Sequence, residues 1–222
     1  MGWLLCFGHP TVLKVMVGFW IMIIGIYMTL PYARYFPPDF SSGFLFGREG
    51  YFYPLYACGF YAHIVSAPIV LWFGLIQSSR WMRRRYPKVH RAVGTWYVRL
   101  LLGAMLPGGA IIATRAYGGM ISVIGFLFLC AITAVVTMRG ANAAKTGKIE
   151  AHGRWMQRSY LLVCSAVLVR VLSVQSELWN LDPVESYRWI VWMSWLPSLV
   201  TYEAFVWRGN HAKRKRLATR PT

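Results

Sequence analysis

The sequence predicts an all-α fold: a polytopic membrane helix bundle of six transmembrane helices with both termini cytoplasmic. Three observations lead there. The chain is 57% hydrophobic over 222 residues, and its apolar residues fall in blocks long enough to cross about 30 Å of hydrocarbon as helices. No stretch alternates polar and apolar residues with period two, which argues against a β-barrel. The cations behind a net charge of +17 mostly lie between the blocks, not within them.

Taken in order, span 1 covers about residues 11–30 and is closed by Pro31. No basic n-region or small-residue cleavage site precedes it, so it reads as a retained helix and not a signal peptide. A loop rich in Pro, Gly and aromatics occupies 32–53, and span 2 follows at about 54–79. Span 3 runs over about 90–113, with a kink expected at Pro107-Gly108-Gly109. Spans 4, 5 and 6 cover about 119–138, 152–175 and 189–207. Residues 1–207 thus form a single transmembrane domain, its core helices within about 54–175, and 208–222 a basic cytoplasmic tail.

Loop charge orients this map. Segment 79–91 holds six Lys and Arg, 139–158 five and 208–222 six, whereas the opposite loops hold only Arg34, Arg48, Arg115 and Arg188. Short Lys/Arg-rich loops stay cytoplasmic. Five of the seven acids, Asp39, Glu49, Glu177, Asp182 and Glu185, lie on the cation-poor side. Trp81, Trp96, Trp155 and Trp207 near inner boundaries, and Trp179, Trp189 and Trp192 near outer ones, form aromatic belts. Topology therefore accounts for the charge, and nucleic acid is not expected as a partner. The expected setting is multi-pass in a bacterial inner membrane, in contact with lipid and with partner membrane subunits. Cys6, Cys58, Cys130 and Cys164 form no CxxC pair, which argues against a disulfide framework or thiolate metal site.

Chemistry within spans is expected at His63, Arg99, Arg170, Gln175 and Glu203, because polar and ionisable groups there need partners. Glu203 stands level with Arg154 and Arg158, so an ion pair with one of them is expected. His90 and His152 each follow a basic loop and open a parallel span, each with Arg, Trp and Tyr close behind. Two imidazoles at one depth suit one haem iron or metal ion, with Arg91, Arg154 and Arg158 to meet propionates or another anion. His63 lies about 20 Å away in depth and belongs to a separate outer site.

These residues also carry a resemblance. His63, the block Pro87-x-x-His90-Arg91-x-x-Gly94-x-x-Tyr97 and the block His152-x-x-Trp155-Met156-x-Arg158-Ser159 resemble the bacterial integral-membrane family called domain of unknown function 2306. The resemblance covers spans 2–5 and implies a polytopic helical membrane protein without an assigned activity. The layout is also similar to b-type membrane cytochromes, but no second His accompanies His63, so one haem is the most it supports.

The leading functional expectation is a redox-linked subunit binding one b-type haem or a quinone near the cytoplasmic face. The alternatives are a non-catalytic scaffold or accessory subunit of a larger complex and, from the Pro-Gly-Gly break, a small transporter. Gly-x-Ser-x-Gly, His-Glu-x-x-His and Walker patterns are missing, and no catalytic residue is assigned.

Overall fold

The structure, a computed structural model, describes residues 10–218. It divides into two compact units, Met1–Ala116 and Tyr117–Thr222. Helices account for the regular structure among the described residues.

The first unit contains α1 (Pro10–Thr29), α2 (Pro54–Ser78), α3 (Arg80–Arg85) and α4 (Pro87–Leu100). A π-helical turn, Leu101–Met105, joins α4 to α5 (Leu106–Ala113). Proline opens α2 and α4, where the missing N–H has no intrahelical partner to lose. Ser79 caps α3 by accepting the Met82 N–H at 3.3 Å. The irregularity expected at Pro107-Gly108-Gly109 falls one turn earlier. Pro107 has no N–H for the Gly103 carbonyl, and the ladder shifts register so that Leu106 N–H bonds to the Leu101 carbonyl.

α2 and α5 pack backbone to backbone. A Cβ on Gly108 would stand 2.4 Å from the Gly59 carbonyl oxygen, and one on Gly59 would stand 2.8 Å from Ile111. Such small-residue contacts are how helices approach closely in membranes. The 32–53 loop folds over this pair as an ordered aromatic cap. Tyr35 and Leu45 bury against Phe60 and Ile64, with Phe40, Phe44 and Phe52 around them. Arg48 ties the cap down, donating to the Phe44 carbonyl at 2.7 Å and to the Arg115 carbonyl at 3.0 Å. The Ser41 hydroxyl, the Ser41 N–H and the Ser42 hydroxyl converge on Asp39 and hold its carboxyl below the ordinary value.

The second unit contains α6 (Met120–Lys145), α7 (Ile149–Val163), α8 (Ser165–Leu178), α9 (Pro183–Met193) and α10 (Leu196–Ala218). Gly147, with φ of 72°, makes the left-handed turn between α6 and α7. The fifth predicted span is α7 and α8 joined at Cys164. The sixth is broken at Ser194–Trp195, where the Ser194 hydroxyl donates to the Val191 carbonyl at 2.8 Å. Val136, Leu162 and Trp195 form the buried core of this unit.

Four segments among the described residues are long and apolar enough to cross a membrane: Pro54–Ser78, Pro87–Ala113, Met120–Lys145 and Ile149–Leu178. They correspond to the second to fifth predicted spans. α1 and the α9–α10 pair, expected as first and sixth spans, are not among the four. The α10 backbone carries the predicted basic tail as helix to Ala218. Cys58, Cys130 and Cys164 are free thiols, and Cys6 lies outside the described residues.

Candidate functional site

The most densely connected polar residues of the second unit come from the block His152–Ser159 on α7. The His152 Nδ1 lies 2.9 Å from the Gly140 carbonyl oxygen of α6. A carbonyl oxygen only accepts, so Nδ1 carries the proton and the lone pair of the neutral ring sits on Nε2. Met156 lies over Gly140, where an added Cβ would come within 2.6 Å of its sulfur. Ser159 and Thr137 hydroxyls are 2.6 Å apart in the buried α6–α7 contact. Thr137 also donates to the Thr133 carbonyl at 2.7 Å.

The other edge of α7 faces α10. Arg158 grips Glu203 bidentately, Nε to Oε1 at 2.5 Å and Nη2 to Oε2 at 2.8 Å. The Arg158 side chain is only 12% exposed and that of Glu203 48%. The Arg158 guanidinium also lies over the rings of Trp155 and Tyr202, 4.8 and 5.1 Å from their centroids. The Tyr202 hydroxyl bonds to Gln157 Oε1 at 2.7 Å. The expected ion pair of Glu203 therefore forms, and Arg158 is its partner. Arg154 instead lies 3.7 Å from Glu150, one turn back, with both side chains well exposed.

In the first unit the His63 Nδ1 lies 2.8 Å from the carbonyl oxygen of Met105, the last residue of the π turn. The same reasoning gives its neutral ring the Nε2 lone pair. His90, half-buried in the first turn of α4, offers its carbonyl to Gln77 Nε2–H at 2.7 Å. Gln77 and His63 are fourteen residues apart on α2, or about 21 Å of rise, so the levels of His90 and His63 differ by that distance. Arg91 is exposed. No group of three or more His, Cys, Asp or Glu among the described residues is placed to hold a metal ion.

Sequence reasoning missed Gln77, Thr137, Tyr202 and the Gly59–Gly108 approach. Thr133 and Thr137, four residues apart in an apolar run, were a signal for a polar helix contact. The family described as "Predicted membrane protein (DUF2306)" matches residues 60–206. No curated protein and no solved structure matches the chain.

Proposed function

The chain belongs to the DUF2306 family of predicted membrane proteins, and from that premise we propose that it is a redox-linked membrane subunit holding one b-type haem or a quinone, with His152 as the anchoring imidazole. The observation that carries this reading is the His152 Nδ1–H bond to the Gly140 carbonyl at 2.9 Å. Such a bond orients the ring and fixes the tautomer, as backbone carbonyls do for ligating histidines. Nε2 can then bind haem iron or accept a quinol hydroxyl proton. A bound haem supplies one-electron transfer, the iron cycling between ferric and ferrous.

Arg158 is committed to Glu203, whereas Arg154 has only an exposed partner, and exposed pairs are weak. Arg154 is thus the cation of this block left to meet a propionate. His63, whose ring is oriented by the Met105 carbonyl, is the candidate residue of a separate site within the first unit.

A second reading, the non-catalytic scaffold, is favoured by a different observation. Met156, Gln157, Arg158 and Ser159 all bond or pack within the α6–α7–α10 group. On that reading the block joins helices and nothing else. Solvent extraction of protein purified from haem-supplemented cells, with pyridine haemochrome and quinone assays, separates the two. Haem b or quinone at about one equivalent per chain, the stoichiometry of one ligated haem, is the expected result. Neither cofactor in the extract leaves the scaffold reading.

A further inference from the structure

One face of α4 carries, besides Arg91, cations that neither reading uses. Lys88, Arg91, Thr95 and Arg99 are all exposed, and at about 100° per residue they share roughly 80° of arc. Tyr97, on the opposite side of the helix, is 1% exposed. From Lys88 to Arg99 the helix rises about 16 Å, so the stripe climbs from the basic segment around Arg80–Arg85 into the apolar Pro87–Ala113 span. Thr95 donates to the Arg91 carbonyl at 2.9 Å, which leaves the stripe cationic and otherwise satisfied. None of the three ion pairs among the described residues involves these cations.

Long side chains on a helix lean toward its N-terminus. Arg99 does so: its guanidinium carbon is 5.5 Å from the Trp96 ring centroid, one turn nearer the basic end. A guanidinium facing hydrocarbon is costly without a counter-charge. A second copy of the chain does not offer one at this depth. Asp39, Glu49, Glu177, Asp182 and Glu185 lie in or beside the cation-poor loops, while Glu150 and Glu203 are paired with arginines. A phosphate at the membrane interface fits the depth, the charge and the direction in which Arg99 leans.

We propose that this stripe is a binding site for the phosphate headgroup of an anionic phospholipid. Arg99, leaning toward the basic end, takes the phosphate, Arg91 and Lys88 add charge at the headgroup level, and Trp96 stands at the boundary. An acyl chain then runs along the apolar continuation of the face, where Gly103 is exposed and an added Cβ would meet nothing within 4 Å.

The test uses the full chain purified in a non-ionic detergent and titrated with phosphatidylglycerol, phosphatidylcholine or inorganic phosphate. Tm and, by native mass spectrometry, retained lipid are read. Phosphatidylglycerol is expected to raise Tm by a few degrees more than phosphatidylcholine, and inorganic phosphate to leave it unmoved. Arg91→Gln and Arg99→Gln should each weaken phosphatidylglycerol binding about fivefold, and Arg99→Lys should recover most of it. Arg170→Gln, at an exposed cation on α8, should change nothing. Equal effects of the two lipids, or undiminished binding in Arg91→Gln and Arg99→Gln, would overturn the proposal. So would equal stabilisation by inorganic phosphate, or a protein that co-purifies with the parent and is lost from Arg99→Gln.

Discussion

Gly108→Ala is expected to destabilise the first unit by about 3 kcal/mol, the upper end of what overpacking costs. The new methyl would sit 2.4 Å from the Gly59 carbonyl oxygen and 2.9 Å from the His63 backbone nitrogen. Both are backbone atoms, so no side-chain rotation relieves the clash, and α5 must move away from α2. The His63–Met105 hydrogen bond spans the same contact and should be lost with it. Gly103→Ala is the control. It adds the same methyl two turns or less away where nothing lies within 4 Å, and should shift stability by less than about 0.5 kcal/mol. Unfolding in detergent, followed by helicity, measures both. A Gly108→Ala protein as stable as Gly103→Ala would mean that α2 and α5 do not meet at these glycines.

The second large effect is expected at Arg158. Removing its side chain as Arg158→Ala takes away the bidentate pair and the packing on Trp155 and Tyr202, and should cost about 1–2 kcal/mol, less than a fully buried pair because Glu203 is 48% exposed. Glu203→Gln keeps one acceptor for an Arg158 N–H but leaves that guanidinium, only 12% exposed, without its counter-charge, so it should cost about as much. The two changes made together should fall short of the sum of the single losses by more than about 1 kcal/mol. Exchanging the residues, Arg158→Glu with Glu203→Arg, should recover part of the loss. Strictly additive losses would show that α7 and α10 do not meet through this pair.

The second to fifth spans were legible because hydrophobic length and loop charge are properties of the chain itself. Pro54 and Pro87 mark helix starts that the structure keeps. Where an apolar run continues across a break, composition carries no trace of it. Ser194–Trp195 interrupts the predicted sixth span, and Cys164 divides the fifth, inside sequences as hydrophobic as their flanks. The π turn was displaced from its proline for a similar reason: Pro107 removes a donor, but the register shift relieving it is made among the residues before it.

Side-chain partners were legible only where charge forced a choice. Glu203 needed a cation at its level, and two arginines one turn apart qualified. The helix rotation that selects Arg158 also puts Tyr202 beside Gln157, and depth alone does not contain that information. The carbonyl partners of His63 and His152 were invisible, since every residue offers the same acceptor and only packing decides which one is near.

The absorption spectrum of His152→Ala, recorded beside the unsubstituted protein, tests the cofactor reading most directly. The account predicts a Soret band with low-spin features in the parent. In His152→Ala that spectrum should turn high-spin or vanish. His63→Ala should leave it intact. If the cofactor is a quinone, quinone retained per chain should fall in His152→Ala in the same way. A parent spectrum or quinone content unchanged by His152→Ala, or lost only with His63→Ala, would contradict the assignment of His152 as the anchoring imidazole.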